Sequence, residues 1–159
     1  MPVSGEEKGL LGSKYYTDNP IYPLEKTVAN LNIDMIGRLD DWHSTGNYVY
    51  LIGSDRLSYD LHNINEEINK KYTGLELDYK YNDEEDPNRY YYRSDHYNFA
   101  KNNIPVIFYF NGVHEDYHRP SDTIEKLDFN KIKNITKLVF LTAWELANRE
   151  ERISLRNDL

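Results

Sequence analysis

Two glutamates stand side by side at Glu6-Glu7, between Gly5 and Gly9. In a continuous strand, adjacent side chains point to opposite faces, so this pair can serve one site only if the chain turns there; the glycines supply that freedom. Asp34 closes the polar face of an alternating segment farther along, and His114, Glu115, Asp116 and His118 lie close together near the C-terminal end. The chain contains no cysteine. That removes disulfides, thiolate zinc sites, iron–sulfur clusters and a cysteine nucleophile, so any metal must be held by His, Asp and Glu. Imidazole nitrogen with carboxylate oxygen suits zinc. A carboxylate that stays off the metal can take a proton from an activated water and return it to a leaving amine. Adjacent glutamates would supply one of each, although taken alone the same pair also reads as a solvated surface turn.

Such residues meet only if strands and helices deliver them to one edge. Residues 3–7 read as the end of a strand running into a turn, and 8–16 as a short helix. Residues 27–35 alternate, with Ala29, Leu31, Ile33 and Met35 on one face and Asn30, Asn32 and Asp34 on the other, which predicts a strand. Residues 48–53 form a short apolar run suited to a buried strand. After a cap candidate at Ser54-Asp55, Leu57, Leu61, Ile64, Ile68 and Tyr72 recur at helical spacing. Residues 75–81 alternate as a strand near an edge, and 82–94 form an acidic, tyrosine-rich loop. Residues 104–110 are the strongest buried strand, with Pro105 near the start, where a missing donor is tolerated. A last helix over 130–148 carries the stripe Ile132, Ile135, Val139, Ala143 and Leu146.

Alternating strand and helix signals without repeats predict one α/β domain: a three-layer sandwich with a mixed, mostly parallel sheet flanked by helices. Its strand ends would converge the Glu pair, Asp34 and the histidine loop, since α/β sheets place ligands at the carboxyl ends of their strands. Of the 159 residues, 39% are hydrophobic and 29% charged, a globular profile. The longest apolar run, 104–110, is far too short to span a bilayer. A formal charge of −8, with no basic stripe against it, opposes nucleic acid as a partner.

The segment Ser4-Gly5-Glu6-Glu7-Lys8-Gly9-Leu10-Leu11-Gly12-Ser13-Lys14-Tyr15-Tyr16 resembles the double-glutamate motif of the two-zinc aminopeptidases of metallopeptidase family 28. Asn32-Ile33-Asp34-Met35-Ile36-Gly37-Arg38 resembles that family's second aspartate motif, and Arg93-Ser94-Asp95-His96 its pocket-lining segment. Tyr117-His118-Arg119-Pro120-Ser121-Asp122-Thr123 resembles its final histidine motif. The matches follow the family's order and cover nearly the whole chain.

The resemblance implies that Glu6 is the general base, Glu7 and His118 ligands of one zinc, and Asp34 a ligand of the other. Asp95 and His96 would line the pocket without binding metal. Asp122 would either orient the ring of His118 or cap the following helix. The resemblance also implies a peptide substrate and an extracellular or periplasmic location. The family's upstream His-X-Asp motif and its metal-bridging aspartate have no counterpart in place: the one His-X-Asp, His114-Glu115-Asp116, falls downstream of Asp34. Residues 1–159 are therefore expected to form a single partial domain, the C-terminal catalytic portion of such an enzyme. A catalytic zinc normally has about three protein ligands, so zinc occupancy should be partial and activity weak or absent in this chain alone. A glutaminyl cyclase-like zinc enzyme and a non-catalytic remnant of the same fold are the alternatives. A sheet missing its first strands should leave an edge open, and self-association through that edge is expected.

Overall fold

The computed structural model describes residues 1–157. In chain order these form α1 (Leu11–Asp18), β1 (Asn30–Ile33), β2 (Tyr48–Ile52), α2 (Tyr59–Tyr72), β3 (Glu76–Asp78), α3 (His96–Ala100), β4 (Val106–Phe110) and α4 (Phe129–Asn148), joined by turns and short 3-10 segments. The strands lie in the order β1-β4-β2-β3. β4 runs parallel to β1 and antiparallel to β2, and β2 runs parallel to β3. The result is a mixed sheet flanked by helices.

The two-residue period of the strands divides the core. Tyr48, Tyr50, Ile52, Val106, Phe108 and Phe110 face one way and pack with Phe99 and Ala100 of α3. Val49, Leu51, Ile107 and Tyr109 face the other way, against Leu61 and Ile64 of α2 and Ile135, Leu138 and Val139 of α4. Burying each such side chain stabilises by roughly 1.5–3 kcal/mol, and this explains why the all-apolar β4 takes a central position. α4 starts where Asp128 accepts hydrogen bonds from the amides of Asn130 and Lys131, at 2.9 and 3.0 Å.

Several expected boundaries move. Residues 1–5 are not a strand, and Glu6–Lys8 is a 3-10 turn. The carbonyls of Ser4 and Gly5 accept from Gly12 and Leu11 at the start of α1, so they are not free for a ladder. The strand expected over 27–35 contracts to Asn30–Ile33, because Met35 turns into the left-handed region at φ 55°. The strand expected over 75–81 contracts to Glu76–Asp78, where the Asp78 carboxylate accepts from the Lys80 amide at 2.7 Å and starts a turn. α2 is capped by Ser58, which accepts from the Leu61 amide, and not by Ser54 or Asp55. Ser54 is instead bonded to His62 and Asp55 to Asn82.

β3 lies at one edge, as expected, and β1 at the other. On β1, Ile33 is 44% exposed. Among the described residues, no helix is long and apolar enough to cross a membrane.

Candidate active site

Because β1 and β4 are parallel, their carboxyl ends open at the same sheet edge, the usual place for a ligand. Asp34 follows β1 directly, and the segment from Asn111 to His118 follows β4. Two backbone bonds join these exits: the Asp34 amide donates to the Tyr109 carbonyl, and the Asn111 amide to the Met35 carbonyl.

The glutamate pair arrives from the first turn. Gly5 (φ 71°) and Gly9 (φ 96°) both occupy the left-handed region, where a side chain is strained. The chain thus reverses tightly enough for Glu6 and Glu7 to line one cleft. Glu7 meets the far wall directly, with His118 Nε2 2.7 Å from Glu7 Oε1. His118 itself is left-handed, at φ 57°. Asp34 lines the same cleft and accepts a 2.8 Å bond from the Ser94 hydroxyl, which in turn accepts from Asn32 Nδ2 at 2.9 Å. The cleft encloses about 440 Å³ and takes an apolar wall from Leu10, Met35, Phe108 and Phe110. That volume suits a small ligand.

The cleft changes the proton affinity of Glu6 and Asp34. Burial, reinforced by the charges of Asp34, Glu7 and Asp95, pushes the Glu6 carboxyl up to about 7. Burial also raises Asp34, against the pull of its Ser94 bond. A carboxyl poised near neutrality can both take and release a proton there.

The remaining expected site residues separate by depth. Asp95 accepts from the Ser13 hydroxyl and borders a second groove, which runs along β1 and shares Glu6, Glu7 and Asp34 with the cleft. His96 does not line the cleft. It is fully buried one layer behind, stacked on Phe108 at 4.7 Å. Burial lowers it to about 3, so the ring is neutral. Asp122 lines the cleft and caps no helix; Arg38 Nη1 donates to its Oδ1.

Arg38 is the functional contact that motif reading overlooked. Its other nitrogen, Nη2, donates to Asp116 at 2.7 Å, and Lys126 reaches both oxygens of the same carboxylate at 2.8 and 2.7 Å. Together these hold Asp116 well below the usual carboxylate range. His114, Asp116 and Asp122 bring one ligand atom each within 4.8 Å of one another. This trio is nevertheless a poor cation site, since two side-chain cations already neutralise it. It fastens the His118 loop to the exit of β1. His114 is buried there. The tyrosine run also divides: Tyr90 and Tyr92 line the cleft, whereas Tyr91 sits in the core.

Comparison with known proteins fits this geometry. The chain matches the model of "Peptidase family M28" over residues 1–143. It is 34% identical over 148 residues to a probable leucine aminopeptidase of Arthroderma benhamiae, a match covering 91% of this chain and 37% of that protein. Among solved structures, the LapA aminopeptidase of Legionella pneumophila superposes with a TM-score of 0.72 at 25% identity, over 94% of this chain and 38% of that one. BSAP, a zinc aminopeptidase from Bacillus subtilis, superposes with a TM-score of 0.68 over 90% of this chain and 34% of its own; at 24% identity it speaks to the fold alone. The chain thus spans little more than a third of the length of these relatives. With the family model matched over nearly its whole length, the chain belongs to peptidase family M28.

Proposed function

We propose that the cleft is part of the active site of a zinc-dependent aminopeptidase that removes N-terminal residues with apolar side chains. The observation that carries this reading is the meeting of Glu7 with His118, 2.7 Å apart, beside a Glu6 poised near neutrality. Family membership and the names of the relatives support it.

Glu7 and His118 would hold one ion and Asp34 a second. When bound, zinc polarises a carbonyl and makes water nucleophilic at neutral pH. Glu6, ionised in about half of the molecules near its raised pKa, takes the proton at its carboxylate and passes it to the leaving amine. Tyr117 also lines the cleft, and burial together with Glu7, Glu6 and Asp34 keeps its hydroxyl protonated. That hydroxyl is a donor for the carbonyl oxygen as negative charge grows on it. Met35, Phe108 and Phe110 receive the substrate's apolar side chain.

Two donors for one ion and one for the other fall short of the usual three or so. Zinc binding by this chain should therefore be weak, and hydrolysis slow. Calorimetric titration with zinc, paired with an assay on leucine para-nitroanilide, tests the reading. The expected result is binding lost in the Glu7→Ala, His118→Ala double variant, and binding kept but residual hydrolysis lost in Glu6→Gln. A folded chain that binds no zinc would favour the non-catalytic remnant. Cyclisation of peptides beginning with glutamine would favour the cyclase.

A further inference from the structure

The walls of the cleft are mostly acidic or aromatic: Glu6, Glu7, Asp34 and Asp122 face it together with Tyr90, Tyr92 and Tyr117. Arg93 is the exception, a permanent cation lining the same space. Among the described residues, no carboxylate lies within ion-pair distance of its guanidinium, although this acidic domain pairs Arg38, behind the cleft residue Asp122, with two. What Arg93 does have is a platform. Its guanidinium lies over the Tyr90 ring at 4.9 Å, and Nη1 makes one long 3.5 Å bond to the Asn88 carbonyl. Among the described residues, its other side-chain donors meet no protein acceptor.

The backbone at this point is fixed relative to the reacting groups. The Arg93 amide donates to the Tyr90 carbonyl at 3.0 Å, and the next residue, Ser94, is bonded to Asp34. In the proposed function the apolar wall of Met35, Phe108 and Phe110 takes the first side chain, which leaves Arg93 to face the rest of the peptide, beyond the scissile bond.

Resting on the aminopeptidase reading, we infer that Arg93 is a specificity-determining residue that recognises a carboxylate on the leaving side of the substrate. Planar guanidinium and carboxylate match in paired hydrogen bonds, and the Tyr90 ring limits the orientations that the guanidinium can lose on binding. The carboxylate has two chemical sources: the C-terminus of a dipeptide, or an acidic side chain at the second position of a longer peptide. Either makes the enzyme one for short or acidic peptides and not for general protein N-termini.

The test is calorimetric binding of four peptides to the zinc-supplemented chain: Leu-Ala, Leu-Ala-amide, Leu-Glu-amide and Leu-Gln-amide. In the wild type, the charged member of at least one pair should bind about fivefold tighter than its neutral counterpart, the scale of a partly exposed charge-assisted contact. A preference for Leu-Ala identifies the C-terminus as the source, and a preference for Leu-Glu-amide the side chain. Arg93→Gln should bring that ratio to about one, Arg93→Lys should keep part of it, and Arg93→Glu should invert it, a reversal that loss of packing cannot produce. Peptides that bind with the same ratio in wild type and Arg93→Gln would overturn the assignment and leave the aminopeptidase reading standing. Failure of all four peptides to bind would remove both.

Discussion

One wall of the cleft is locked and the other is open. The His118 loop is held by Arg38 and Lys126 on Asp116, with Arg38 also on Asp122; the Arg38 and Asp116 side chains are largely buried, and those of Lys126 and Asp122 reach solvent. The opposite wall is built on β1, an edge strand on which Ile33 stands 44% exposed. There Asp34 relies on the Ser94 and Asn32 hydroxyl and amide chain. The difference teaches that His118 is positioned by the protein's own ion pairs, whereas Asp34 sits on a surface with room for more polypeptide. A groove along β1 shares Glu6, Glu7 and Asp34 with the cleft.

The largest expected effect breaks the locked wall. Arg38→Ala leaves Asp122 without its cation and Asp116 with Lys126 alone, and should cost about 2 kcal/mol in urea unfolding, less than for a fully buried pair because Asp122 and Lys126 reach solvent. Amide exchange should also accelerate across residues 113–122. A loss under about 0.5 kcal/mol, the range of an ordinary surface substitution, would mean that the lock does not exist.

Next comes pH, through the layer behind both walls. The His96 pKa is lowered by burial from 6.5 to about 3, so the folded state binds fewer protons than the unfolded chain across that window. Its contribution is complete above the unfolded value and is lost as pH falls below it, by about 1.4 kcal/mol per unit and so about 2 kcal/mol by pH 5. His96→Phe should flatten that part of the stability profile. An unchanged slope in the variant would place the acid sensitivity elsewhere.

Smaller effects belong to the open wall. Ser94→Ala removes the donor to Asp34 and should cost about 1 kcal/mol in thermal or urea unfolding, the typical value of one hydrogen bond. Ile33→Lys should change stability by no more than about 0.5 kcal/mol, yet reduce self-association measured by light scattering, because a lysine blunts an exposed edge. Wild-type chain that stays monomeric at high concentration would show that the edge is already protected.

How much was legible in the sequence follows the range of the interactions. β2, β4, α2 and α4 are readable because their patterning is local and strong: apolar runs in the strands, a helical stripe in the helices. Glu6, Glu7, Asp34 and His118 are readable as a set through their motifs, and the glycines beside the glutamate pair explain how neighbours can share a cleft. The ends of β1 and β3 are not readable, because Met35 and Asp78 break the pattern through backbone and side-chain turns that periodicity does not register. Arg38 is hidden for another reason. Its partners lie 78 and 84 residues away, and nothing in a linear reading couples an arginine after one strand to carboxylates after another. The depth of His96 follows from packing on Phe108, which the Ser-Asp-His segment alone does not reveal.

The most direct test of the account is anomalous diffraction at the zinc edge from crystals of this chain grown with zinc. The account predicts a peak in the cleft between Glu7 and His118, with any weaker peak beside Asp34. It also predicts none among His114, Asp116 and Asp122, where Arg38 and Lys126 already supply the positive charge. A peak at that trio with an empty cleft would contradict the account and move the metal chemistry to the wall described here as a lock.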